Sequence, residues 1–161
     1  GTGTLLPELE AKRRALGLDD AVRFAGFRSD TAAVIAAGDL FALSSDDEGL
    51  PHVILEAMAA GKAVVATDVG SVRDLVEDRV TGRVVPRRDP GAWAEAVADL
   101  LVDGERRRAM GEAALARVRE RYPPEKCLAE TEEFLLRAAW LDDPLEPPAA
   151  APPATPPPPP A

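Results

Sequence analysis

Four short apolar runs, VRFAG (22–26), LFALS (40–44), AVVAT (63–67) and GRVVP (82–86), are separated by segments of helical character, and this alternation constrains the fold more than any other feature. The runs do not alternate apolar with polar residues. Each therefore reads as a strand covered on both faces, as in a parallel sheet. The covers lie between them. Residues 5–16 have helical periodicity and stop at Gly17, and SDTAAVIAAGD offers Asp30 as N-cap and Gly38 as stop. A third helix starts near Pro51, the favoured first helical position, and ends at Gly61, and residues 71–78 form a short fourth. A helix from Asp89-Pro90 to about Val102 follows the last strand, and two more, about 104–121 and 124–140, flank Pro123-Pro124. The pattern predicts an α/β domain built on a doubly wound parallel sheet.

A chain of 161 residues with 46% hydrophobic residues can bury one core, and with only 4% aromatics that core must be mostly Ala, Val and Leu. The domain is expected to occupy residues 1–141. Ten of the 16 prolines fall in 144–161, so residues 142–161 are expected to be an extended, disordered tail. A ligand for a proline-reading domain is the alternative for that tail. The sequence starts at Gly1 rather than Met, and we expect residues upstream of it.

A net charge of −9 argues against a nucleic-acid partner. The single cysteine, Cys127, allows no internal disulfide and fits a reducing compartment. No apolar run approaches the roughly 20 residues of a membrane span, and a cytoplasmic location is expected.

One segment calls for chemistry. Strand 40–44 leads into Ser45-Asp46-Asp47-Glu48-Gly49-Leu50-Pro51, and a helix follows at once. In a doubly wound sheet, ligands sit at the carboxyl ends of the strands. A helix N-terminus there offers free N–H groups and a dipole suited to phosphate, and Gly49 permits close approach. Glu48 precedes the helix. Glu56 lies inside it, in a run otherwise apolar or small from Val53 to Ala60, with a side chain that slants back toward the N-terminus. A carboxylate in such a run is costly unless it accepts hydrogen bonds. Sugar hydroxyls or the amides of a neighbouring loop would both supply them, and the residues alone leave the two open.

The stretches EGLPHVILEAMAAGKAVVATDVGSVRDLV and TGRVVPRRDPGAWAEAV resemble the carboxy-terminal domain of family 4 retaining glycosyltransferases of the GT-B fold. The two glutamates with seven residues between them, the A-x-G-K-A-V-V-A-T turn, the glycine of D-V-G and the T-G-x-x-V-P segment stand in the family's order and spacing, and the resemblance covers roughly 1–140. It implies a Rossmann-like half of a GT-B enzyme that binds a nucleoside diphosphate sugar and transfers a hexosyl group with retention, without a metal ion or other cofactor. It implies that Glu56 binds the ribose and Glu48 the transferred sugar. Gly49, Leu50 and Pro51 would lie against the sugar and diphosphate, and Phe27 and Arg28 near the base. GTG at 1–3 resembles the glycine loop of that domain. The acceptor would be bound by an amino-terminal domain that this chain lacks, as it lacks the family's diphosphate-binding Arg and Lys, so the chain alone is expected not to transfer sugar. Peripheral membrane association of the intact enzyme stays open. Ser71 stands where the family often has a second glycine, and Asp46 and Asp47 make the loop more acidic than usual.

No residue is assigned as catalytic. Asp46-Asp47-Glu48 could be read as a Mg²⁺ site, but a solvated acidic loop accounts for it. His52 reads as a surface residue, as does Lys62 at the far end of the helix, and Arg73 is left open. The alternative functions are a non-catalytic nucleotide or sugar-phosphate binding module, or a nucleotide-sugar epimerase.

Overall fold

The computed structural model describes residues 3–140. Gly1 and Thr2 of the GTG stretch and the expected tail at 142–161 lie outside the described residues. In chain order the elements are α1 (Leu6–Ala15), α2 (Thr31–Ala37), β1 (Phe41–Leu43), α3 (His52–Ala59), β2 (Val64–Thr67), α4 (Val72–Leu75), β3 (Gly82–Val85), α5 (Pro90–Val102), α6 (Gly104–Arg121) and α7 (Pro124–Trp140). The chain divides into a unit ending at Arg121 and a second starting at Tyr122, which contains α7.

The three strands form a parallel sheet in the order β1-β2-β3, with Phe41 opposite Val64 and Val64 opposite Gly82. All four residues of β2 are buried. Successive side chains of a strand point to opposite faces, so β2 is covered on both. On one face Ala63, Val65 and Val85 pack with Ala96 and Leu100 of α5 and Met110 of α6. α3 buries Ile54, Ala57 and Met58. This is the α/β architecture that the alternation predicts.

Glycine stops α1, α2 and α3 as expected, α2 at Gly38 with an extended backbone. After α3, Gly61 at φ +70° donates to Met58 O and Lys62 N donates to Ala57 O, both at 3.0 Å. The paired bonds form a Schellman cap, and Gly17 does the same after α1.

Three local expectations need correction. Residues 22–26 are not a strand. A strand exists only through a ladder, and no described segment pairs with this one. Arg13 of α1 holds it instead, donating to Val22 O at 3.2 Å and stacking its guanidinium 5.6 Å from the Phe24 ring centroid. Asp30 stands at the N-cap of α2, but its carboxylate turns to Arg28 and caps nothing. Pro51 is the cap of α3 rather than its first helical residue.

α6 crosses the end of α3 at a point where only glycine fits. A Cβ at Gly111 would lie 2.1 Å from Gly61 O and 3.0 Å from Gly61 C. Alanine is the better helix former by about 1 kcal/mol, but overpacking against backbone costs about 1–3 kcal/mol. The clash therefore wins: Gly111→Ala is expected to lower unfolding free energy in a denaturant titration, whereas a purely intrinsic helix effect would raise it.

Candidate functional site

Because the sheet is parallel, the loops after β1 and β2 emerge at the same edge, the carboxyl ends of the strands. Thr67 ends β2, and its buried hydroxyl donates to Ser45 O at 2.5 Å. The Ser45 hydroxyl in turn donates to the Glu48 carboxylate at 2.7 Å. The position of Glu48, which is half-buried, is thus set by a two-step chain from the central strand.

The loop after β2 is pressed onto this one. Gly70 has φ +50°, and a Cβ there would lie 1.9 Å from Glu48 O and 2.7 Å from Gly49 O. Only glycine takes both the conformation and the contact. Ser71 follows and donates twice to Gly49 O, from its hydroxyl at 2.8 Å and its N–H at 3.2 Å. Asp68, at the start of the loop, donates its N–H to Val85 O at 2.8 Å and accepts a two-pronged bond from Arg73 at 2.8 and 2.7 Å. The Asp68 carboxylate holds the Arg73 pKa above the ordinary arginine value, first by this bond and then by its charge. The structure so answers the question that the sequence left on Arg73: its guanidinium is committed to Asp68.

Leu50 and Pro51 carry the chain into α3. Ile54 N donates to Pro51 O at 2.9 Å, while the N–H groups of Leu50, His52 and Val53 have no acceptor among the described residues. The helix buries one stripe, Ile54, Ala57 and Met58, and leaves His52, Glu56, Ala59 and Ala60 exposed. Glu56 is therefore not a carboxylate in a buried run. The run is apolar on all sides, yet an eight-residue surface helix covers only one of them. No described residue donates to the Glu56 carboxylate, so the neighbouring-loop amides that were its alternative partners are not there. His52 lies one turn before it on the same exposed face.

The remaining predicted residues stand apart. Phe27 and Arg28 are exposed on the loop before α2, where they line an open groove with Ala25, Gly26, Thr31 and Val34. Arg28 is paired with Asp30 and depresses its pKa. Lys62 sits in the C-terminal cap of α3, at the far end from Glu48. Among the described residues no group of three or more His, Cys, Asp and Glu could hold a metal ion, and no helix is long and apolar enough to cross a membrane.

Sequence reasoning missed a second feature at this edge. Ser44, Asp46, Thr67, Arg88, Asp89, Pro90 and Trp93 line a cavity of about 240 Å³. Asp46 meets Arg88 at 3.3 Å across its rim, so one charge of the acidic loop is offset from the loop after β3. No spacing rule links positions 42 residues apart, so only the fold reveals the pair.

Comparison with known proteins bears on what this edge does. Residues 1–117 match the family of glycosyl transferases group 1. The D-inositol 3-phosphate glycosyltransferase of Corynebacterium kroppenstedtii is 40% identical over 117 residues, 71% of this chain and 26% of that protein. The chain thus spans about a quarter of the length of that relative. HepE of Anabaena, solved in complex with UDP-glucose, superposes with a TM-score of 0.79 at 30% identity, over 85% of this chain and 38% of its own. The carboxy-terminal domain of a glycosyl transferase group 1 family protein from Francisella tularensis superposes with a TM-score of 0.69 at 29% identity, over 76% of this chain and 66% of its own.

The geometry separates two glycines of the site. Gly70→Ala is expected to cost about 2–4 kcal/mol, because the loop must leave Glu48 and the left-handed conformation is strained. Gly49→Ala meets nothing within 4 Å and is expected to stay within about 1 kcal/mol of the parent. Chemical denaturation of the two variants checks the difference, and equal losses would mean that the loops are not packed as described.

Proposed function

This chain belongs to the glycosyl transferases group 1 family and carries a carboxy-terminal GT-B domain, and from that premise we propose that the edge described above binds the nucleoside diphosphate sugar donor of a retaining hexosyltransferase. The observation that carries the reading is the set of unpaired N–H groups at Leu50, His52 and Val53, at the head of α3 and immediately after Glu48. Backbone donors at a helix N-terminus, aligned with its dipole, favour a phosphate without needing a side-chain cation. Glu56, exposed and without a donor, has both acceptor oxygens available for the vicinal hydroxyls of a ribose. Glu48 keeps capacity beyond its one bond to Ser45 and would take hydroxyls of the transferred sugar. The backbone from Gly49 to Pro51 would face the sugar and diphosphate, with Phe27 and Arg28 toward the base. That HepE was solved with UDP-glucose supports a donor of this class.

In this reading α3 contributes to transfer by stabilising the departing diphosphate, a preorganised electrostatic effect. Transfer proceeds with retention and without a bound metal ion, on an acceptor held by a part of the protein other than this domain. A metal-free, cytoplasmic enzyme is part of the same proposal.

The two glutamates test it, in the full-length protein. UDP-, GDP- and ADP-glucose are titrated calorimetrically to find the donor bound best, and its free nucleoside diphosphate is titrated alongside. Glu56→Gln is expected to weaken both ligands by about 1–3 kcal/mol, the size of a charge-assisted hydrogen bond. Glu48→Gln is expected to weaken the nucleotide sugar by a similar amount and to leave the free diphosphate nearly unchanged. Equal losses on both ligands in the two variants would defeat the division of roles, and no binding of any donor by the parent would defeat the donor site itself.

A further inference from the structure

We infer that Ser71 is a positioning residue of this site: its hydroxyl holds the Gly49–Leu50 peptide in the one orientation that presents the Leu50 N–H to the ligand. The inference rests on the donor-binding reading above. Gly49 has little restraint of its own. It is exposed, and nothing lies within 4 Å of where its Cβ would be. Glycine adopts conformations on both sides of φ = 0, so the peptide that follows it can turn over at small cost. Turning over exchanges an N–H for a C=O on the ligand side. That reverses the local dipole, from attraction to repulsion of an anionic or hydroxyl-oxygen ligand.

The Gly49 carbonyl is what prevents this. It accepts from the Ser71 hydroxyl at 2.8 Å and from the Ser71 N–H at 3.2 Å. In a trans peptide the C=O and N–H point in opposite directions. A carbonyl pinned toward the Gly70–Ser71 loop therefore directs the Leu50 N–H away from that loop, and no described residue accepts from it. Ser71 acts from a fixed base. Gly70 is seated on Glu48, and the Ser71 carbonyl accepts from Asp74 N at 3.0 Å and Leu75 N at 3.3 Å. The hydroxyl is the shorter of the two clamps and the one that a substitution can remove without touching the backbone.

The experiment uses the full-length protein and the donor bound best among UDP-, GDP- and ADP-glucose, titrated well below the melting temperature of each unliganded variant. Ser71→Ala is expected to bind that donor about three- to tenfold more weakly, the equivalent of one lost hydrogen bond. Ser71→Thr keeps the hydroxyl and is expected to stay within twofold of the parent. A role confined to folding would move the melting temperature and leave the affinity of the folded protein unchanged. If Ser71→Ala binds within twofold of the parent while Glu56→Gln is weakened, the donor reading stands and the Ser71 inference falls. It falls equally if Ser71→Thr is as weak as Ser71→Ala, which would implicate loop shape rather than the hydroxyl, or if Ser71→Ala does not fold. If the parent binds no donor, or if Glu56→Gln has no effect, the donor reading itself fails and this inference with it.

Discussion

Backbone meets backbone at Gly70, and the geometry of the site depends on that contact. The loop after β2 can rest on Glu48 and Gly49 only because no Cβ stands between them. From that seat Ser71 reaches the Gly49 carbonyl, and the chain enters α3 with its leading N–H groups unpaired. The same device recurs at two other junctions. A Cβ at Gly82 would lie 2.1 Å from Val64 O, where β3 runs beside β2, and one at Gly111 would lie 2.1 Å from Gly61 O, where α6 crosses α3. A chain poor in aromatics fills its core with Ala, Val, Ile, Leu and Met, and glycine at these junctions lets its backbones approach closely.

Charge at the site is arranged in a similarly local way. The acidic loop does not stand unopposed, since Arg88 faces Asp46. Arg73, in α4 after the neighbouring loop, is taken up by Asp68. Such exposed pairs add little to stability. Their consequence is positional: Arg73 and Arg88 are turned toward the protein's own carboxylates, while the leading N–H groups of α3 and the carboxylates of Glu48 and Glu56 keep bonding capacity to spare. That combination suits a molecule with a phosphate at one place and hydroxyls at two others.

Much of the fold was legible because it follows from local rules. Glycines 17 and 61 announced the ends of two helices, and the apolar runs at 41–43, 64–67 and 82–85 announced strands. The pair Glu48 and Glu56 was legible as a candidate site through its placement at a strand-to-helix turn. The failures were also physical. Residues 22–26 have the composition of a strand, but pairing is a property of two segments, and none beside it is described. Asp30 has the side chain of an N-cap, but Arg28 two residues earlier competes for its carboxylate and wins.

Glu56 marks the boundary between what each level determines. The sequence by itself determined that a helix runs from near Pro51 to Gly61 and that a carboxylate falls among apolar neighbours in it, because propensity and periodicity are properties of the chain. It could not say whether that carboxylate is buried, since every side of the helix is apolar enough to face a core. Only the tertiary structure decided that Ile54, Ala57 and Met58 take the inside and Glu56 the outside. The same holds for Ser71, whose hydroxyl became a clamp only when two loops, 22 residues apart in sequence, were brought to one edge of a parallel sheet. Local sequence fixes which conformations are cheap; which surfaces meet is set by the sheet that gathers them.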